Sequence, residues 1–277
     1  MNDKTSLLNK VNETIKKTRE QNPIAPSITN MVTINFVANA QLAAGGRAFM
    51  VTQADEGRVI ASISKSAYIN LGTMMDWYDS TITEACKAFV ENKNNWVFDP
   101  VGLGLGSLRT GLFKMMKDCK PAVIRGNASE IIGLASMWGI YESAKNSLSG
   151  VDSADSVTAA QKPAEMLAKY TGGAVAVSGK DDLVTDGTLT VLCHGGSPML
   201  SKITGAGCSL GGVICVYANV ATPFEAALTG TVVYNEAAKK AEAESRGPAS
   251  FMQNFIDEIY CIDEGTILKS EIELVEG

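Results

Sequence analysis

Histidine is almost absent from this chain: His194 is the only one in 277 residues. The cysteines (Cys86, Cys119, Cys193, Cys208, Cys215 and Cys261) include no Cys-x-x-Cys pair. That excludes a structural zinc site of the usual ligand spacing, and no disulfide framework is expected at this density and length. Positive charge is also in short supply, with 24 Lys and Arg against 30 Asp and Glu, a net charge of −6. No nucleic-acid partner is expected, because phosphate contacts need a basic face. No apolar stretch is long and uninterrupted enough to span a bilayer, and MNDKTSLLNKVNETIKKTREQNP has no apolar core of signal-peptide length. The expectation is a soluble, cytoplasmic protein with free thiols and no membrane partner.

What is present is ordinary globular composition, 45% hydrophobic and 19% charged. Leu7, Leu8, Val11 and Ile15 recur at helical spacing before Asn22-Pro23 stops the pattern, and a second helix runs from Thr29-Asn30 to Gly45-Gly46. Five short apolar runs then read as buried strands: RAFMV, AYINLG, NWVFDP, AVIRGN and AVAVSG. Helix-like segments separate them: ADEGRVIASIS, DSTITEACKAFVENK, GLFKMMKDC and SVTAAQKPAEMLAKY. This alternation predicts an α/β fold with a mostly parallel central sheet and helices on both faces. DLVTDGTLTVLCH predicts an antiparallel pair turning at Asp186-Gly187. Helices are predicted over about 207–220, 223–243 and 248–260, and ILKSEIELV reads as an edge strand or interface segment. No Pro-, Gly- or Ser-rich linker and no repeat divides the chain, so a single domain over 1–277 is expected.

In open α/β sheets, ligands gather at the carboxyl ends of the strands. Asp99, Arg125, Ser178 and Gly72 fall at such ends, and Glu130 opens the helix that follows AVIRGN. Carboxylates, a guanidinium and glycine-relaxed turns suit a magnesium–polyphosphate. Each has a duller reading: Asp99 can simply start a turn before Pro100, and Glu130 is favoured in a first helical turn by the macrodipole. Arg125 is harder to dismiss, since an unpaired arginine there would be costly. The familiar nucleotide motifs are missing. Gly102 and Gly104 lack the third glycine, having Ser107 in its place, and Gly207 and Gly212 have Walker spacing with Val213 where the lysine belongs. SKITGAGCSLGG (201–212) reads as a glycine turn entering a helix, an anion hole made by the amides of Gly205 to Cys208. The helix dipole there is expected to lower the Cys208 thiol pKa, while the alternative is a small buried hydrophobe.

In chain order, PIAPSITNMVTINFVANAQLAAGGRAFM, INLGT, VFDPVG, VIRGNASEI, GVDS, AVSG, ITGAGC and GPASF resemble the hydroxyethylthiazole kinase family over about residues 23–260. The resemblance implies a ribokinase-like fold, a homotrimer with substrate sites between subunits, and ATP- and Mg²⁺-dependent phosphorylation of 4-methyl-5-(2-hydroxyethyl)thiazole in thiamine biosynthesis. By motif it implies that Arg125 and Ser178 contact ATP, and that Asp99 and Glu130 hold Mg²⁺, partly through water. Asn30, Gly72 and Gly205 would line the thiazole pocket, Met50 would reach it from a neighbouring subunit, and Cys208 would stand where related enzymes place an aspartate base. Three positions depart from the family pattern. Pro26 falls where a histidine is usual, Leu103 replaces an alanine on the phosphate side, and Gly195-Gly196-Ser197 replaces Asn-Gly-His. A hydroxymethylpyrimidine or pyridoxal as the acceptor alcohol, or a non-catalytic thiazole- or nucleotide-binding protein, are the alternatives.

Overall fold

The amphipathic start of the chain forms helix α1 (Lys4–Gln21), which buries Leu7, Leu8, Val11 and Ile15 and is capped by the Asp3 carboxylate accepting from the Ser6 amide at 2.7 Å. It belongs to a computed structural model that describes residues 3–142 and 157–275, so the GVDS stretch lies outside the described residues. One sheet of nine strands organises the rest: β1 (Ile24–Ile28), β2 (Arg47–Met50), β3 (Ser66–Asn70), β4 (Asn95–Asp99), β5 (Val123–Asn127), β6 (Ala174–Ser178), β7 (Asp182–Thr185), β8 (Thr190–Cys193) and β9 (Ile272–Val275). Their spatial order is β2-β1-β3-β4-β5-β6-β7-β8-β9. Every pairing from β2 to β6 is parallel, and those from β6 to β9 are antiparallel. The predicted α/β class, the hairpin around Asp186-Gly187 and the edge strand in ILKSEIELV all match this arrangement.

Helices α2 (Ile34–Ala43), α8 (Ala206–Ala218), α9 (Pro223–Ala243) and α10 (Pro248–Cys261) join α1 on one face. The other face carries α3 (Ala54–Ile63), α4 (Tyr78–Asn92), α5 (Ser107–Cys119), α6 (Ala128–Met137) and α7 (Val157–Thr171). Period-two alternation divides the strands between the two cores: Tyr68, Val97 and Val123 face the first, and Ala67, Ile69, Trp96, Phe98 and Ile124 the second.

One strand is absent from the sequence reading and another differs from it. IAPSI is β1, the strand next to the outer strand β2, although a proline is unusual in a strand paired on both sides. The ladder to β3 begins only at Ser27, past the proline, so Pro26 is tolerated in a strand flanked on both sides. RAFM, expected to be buried, is the outer strand β2, with Arg47 and Phe49 exposed.

Candidate active site

Five parallel strands deliver polar residues to one edge of the sheet. Asn30 follows β1, Asn70 and Gly72 lie at the end of β3, Asp99 ends β4, Arg125 and Asn127 belong to β5, and Ser178 ends β6. Helix α8 points its first turn at this edge. Gly205, its N-cap, adopts φ +93°, and a Cβ there would meet Thr33 at 2.9 Å. Gly207 lies directly over the Arg125 guanidinium, where a Cβ would come within 2.5 Å of Nη1. The missing side chain therefore lets a fixed positive charge sit beneath the amides of the turn. Two sources of positive potential, the helix N-terminus and Arg125, converge on one spot.

Arg125 is 8% exposed and donates to Ser178 Oγ at 2.9 Å and to Asp99 Oδ2 at 3.4 Å. Burial works against its charge, yet Asp99 and then Glu130 hold its pKa above the ordinary value. Asp99 is fully buried, and burial raises its carboxyl against the opposing pull of Arg125 and the Tyr68 hydroxyl. Its Oδ2 takes both donors, while its Oδ1 is buried with no hydrogen-bond partner among the described residues. Glu130 is held by a reciprocal cap: its Oε2 accepts from the Asn127 amide at 2.8 Å, and its own amide donates to Asn127 Oδ1 at 2.9 Å. Burial and then the nearby Asp99 push Glu130 up to about 7.

That strain is measurable. The folded protein binds the Glu130 proton more tightly than an unfolded chain, whose value is near 4.5, so stability falls as pH rises from about 4.5 to about 7 and stays low above it. Glu130→Gln keeps the capping geometry and removes the charge. In metal-free buffer at pH 8 it is expected to stabilise the fold by about 1–3 kcal/mol. The gain should shrink as pH falls and vanish below about pH 4, where Glu130 is neutral in the folded and the unfolded chain. Thermal melts across pH check this, and an unchanged or lowered midpoint at pH 8 would contradict it.

Cys208, in the first turn of α8, accepts from Asn30 Nδ2 at 3.6 Å. Its thiol pKa is raised, first by burial and then by Asp99, with Arg125 opposing. The expected lowering by the helix dipole is therefore overturned: desolvation and a neighbouring carboxylate outweigh the dipole. The glycine turn and the thiol do meet the rest of the cluster, and Gly72 packs against Asn30 while donating its amide to Asn70 Oδ1 at 3.0 Å. Met50 is different. It ends the outer strand β2, half-buried on the sheet margin, and takes no part in this hydrogen-bonded cluster.

Sequence reasoning passed over four contributors. Tyr68 and Asn70 lie inside the network, with Tyr68 donating to Asp99 Oδ2 at 3.1 Å. Tyr68 was read only as part of a buried strand, although a hydroxyl in that run needs a polar partner. Arg109 donates from Nε to the Leu71 carbonyl at 2.8 Å, from Nη1 to Leu105 at 3.0 Å, and from Nη2 to Gly72. It ties the loop after β3 to the loop after β4, a link no local pattern reveals. Asp182, at the start of β7, accepts from the Gly179 amide at 2.9 Å, and burial pushes it up to about 6.

The three departures have structural consequences. Pro26 is in the middle of β1 and not at its carboxyl end, and Gly195 and Gly196 pack against Asn235 of α9. Leu103 is 9% exposed and fills the space over Gly133 of α6, where any Cβ would run into its Cδ2. The larger residue in the loop and the glycine beneath it form one packed pair. Gly133→Ala alone is expected to cost about 1–3 kcal/mol by overpacking. Adding Leu103→Ala should relieve most of that penalty, giving a coupling of about 1 kcal/mol or more between contacting sites. Urea denaturation of the two single variants and the double variant measures it, and additive effects would show that the pair does not interact.

Comparison with known proteins bears on this cluster. Residues 15–265 match the model of the hydroxyethylthiazole kinase family. A hydroxyethylthiazole kinase of Bifidobacterium adolescentis is 42% identical over 273 residues, covering 95% of this chain and 93% of that protein. The structure of a hydroxyethylthiazole kinase protein from Pyrococcus horikoshii superposes with a TM-score of 0.86 at 28% identity, covering 96% of this chain and 99% of the other. A ribokinase-like superfamily protein of Enterococcus faecalis, at 11% identity, TM-score 0.58 and coverages of 94% and 90%, shares the fold alone. The nine-stranded sheet is thus ribokinase-like, and the glycine turn, the buried arginine and the carboxylates Asp99 and Glu130 lie within the matched span. This chain belongs to the hydroxyethylthiazole kinase family.

Proposed function

We propose that this enzyme transfers the γ-phosphoryl group of ATP to the primary alcohol of hydroxyethylthiazole, in thiamine biosynthesis or salvage. The observation that carries the reading is Arg125, which lies under the Gly207 turn and hydrogen-bonds both Asp99 and Ser178. Arg125 and Ser178 bind the ATP phosphates, and the amides of Gly205 to Cys208 stabilise charge on the transferred group. Phosphoryl transfer rests on such positioning and electrostatics more than on strong bases. Asn30, Gly72 and Gly205 line the acceptor pocket, and the Cys208 sulfur orients the alcohol and, as its thiolate, receives the proton.

The residues fit a magnesium ion. Oxygen donors suit it, and Asp99 Oδ1 is a buried acceptor without a hydrogen-bond partner among the described residues, with the Glu130 carboxyl close by. When bound, Mg²⁺ neutralises charge between the β- and γ-phosphates. Asp99 and Glu130 would hold it. Its binding would draw the Glu130 proton off near neutral pH.

The chain acts as a single kinase domain in a homotrimer whose pockets lie between subunits, Met50 serving a neighbour's pocket. Exposed apolar side chains near the outer strand, among them Met31, Val32, Leu42 and Phe49, support an interface there. Six unpaired cysteines support a reducing, cytoplasmic setting. Among the described residues, no helix is long and apolar enough to cross a membrane. The test is ADP release on mixing ATP, Mg²⁺ and hydroxyethylthiazole. Release that requires the alcohol supports a kinase, whereas thermal stabilisation by both ligands with no ADP would mark a binding protein.

A further inference from the structure

The polar residues between Cys208 and Asp99 form one continuous chain, and backbone donors fix its direction. The Thr33 amide donates to Asn30 Oδ1 at 3.2 Å, which leaves Asn30 Nδ2 as the end that faces Cys208 Sγ at 3.6 Å and Asn70 Oδ1 at 2.9 Å. The Gly72 amide also donates to Asn70 Oδ1, so Asn70 Nδ2 faces the Tyr68 oxygen at 3.0 Å. A phenol has one proton to give. With a donor already on its oxygen, Tyr68 gives that proton to Asp99 Oδ2. Arg125 Nη1 converges on the same oxygen, and Oδ1 is left buried and unpartnered among the described residues. The ring itself is wedged under α8: a Cβ on Gly211 would run into its Cε2, and Tyr68 is fully buried.

We infer that Tyr68 is a positioning residue with two functions. Its hydroxyl fixes which oxygen of Asp99 is presented to the cation, and its ring sets the height of the helix that carries Cys208. The inference rests on the proposed reading of Asp99 as a metal-holding carboxylate. Without the hydroxyl, Asp99 loses the shorter of its two contacts on Oδ2, and the carboxylate can rotate away from its cation-facing orientation. Asn70 Nδ2 also loses an acceptor, but its Oδ1 keeps Asn30 and the Gly72 amide and the ring stays under α8, so the acceptor-alcohol pocket changes less than the carboxylate does.

The experiment compares Tyr68→Phe with wild type by calorimetric titration of ATP, with excess Mg²⁺ and again with chelator. In wild type, Mg²⁺ should tighten ATP binding; in Tyr68→Phe that enhancement should shrink about tenfold, with metal-free ATP affinity within about twofold. Turnover should fall about tenfold while KM for the alcohol holds within about twofold, separating orientation of the carboxylate from binding of the acceptor. Tyr68→Leu, which also removes the ring, should show the same metal defect and in addition raise KM for the alcohol. The difference in melting temperature between Mg²⁺–ATP and ATP with chelator gives a second reading for a variant too unstable to titrate, and it should shrink by at least half. A full metal enhancement and wild-type turnover in Tyr68→Phe would overturn the inference. Failure of wild type itself to bind ATP more tightly with Mg²⁺ would instead overturn the reading of Asp99.

Discussion

Asp99→Asn is expected to lower kcat/KM by about a thousandfold, roughly 4 kcal/mol of transition-state stabilisation. Asparagine keeps the shape of the side chain and can still accept from Tyr68, so the variant isolates charge from packing. The charge matters here because Asp99 has no solvent exposure and neighbours a guanidinium that is 8% exposed. In such a site little water is available to replace a lost partner. In the proposed reading the carboxylate serves two partners: one oxygen holds Arg125 and Tyr68, and the other, without a hydrogen-bond partner among the described residues, would face a cation. Removing it also leaves Arg125 buried with its weaker neighbour, Glu130, as the charge beside it. Stability should therefore fall as well, by about 3 kcal/mol, the cost of stripping one partner from a buried pair. Initial rates over a range of Mg²⁺ concentrations, with denaturant unfolding alongside, check both effects. Near-wild-type turnover would mean that Asp99 is a structural partner of Arg125 and nothing more.

Cys208→Ala is expected to reduce turnover about a hundredfold, the low end for losing a general base. Two considerations set that modest size. The raised thiol pKa means that Cys208 is a thiol at rest, so little base strength is lost on its removal. Phosphoryl transfer also asks little of a base until the new bond is well formed. In the proposed reading the sulfur, fixed by the Asn30 amide, orients the alcohol, and its minor thiolate fraction accepts the proton. Cys208→Asp should then match or exceed wild-type turnover, since a carboxylate accepts a proton readily at neutral pH. Single-turnover rates for the two variants decide the matter. If alanine turns over like wild type, the catalytic role is wrong.

These two residues also mark where sequence sufficed and where it did not. Arg125 was legible because an arginine ending an apolar strand has no cheap structural explanation, whereas Asp99 alone could start a turn and stood out only because parallel strands place such ends on one edge. The strand–helix rhythm was legible for the same reason: strands covered on both faces read as unbroken apolar runs. β1 was not, because its proline hides a strand that pairs with β3 only beyond that residue. The direction of the Cys208 shift was missed because the helix dipole is a local property, whereas burial and the approach of Asp99 depend on contacts 109 residues apart. Tyr68, Asn70 and Arg109 escaped on similar grounds. Each acts through partners on other strands or loops, which spacing along the chain does not encode.

One measurement tests the central claim most directly: steady-state kcat/KM with ATP and Mg²⁺ for hydroxyethylthiazole, hydroxymethylpyrimidine and pyridoxal on the same preparation. The thiazole alcohol should exceed each of the others by about a hundredfold or more, as expected when a pocket's buried polar groups match only one of the alcohols. Higher efficiency with either alternative, or no phosphorylation of the thiazole alcohol at all, would contradict the account.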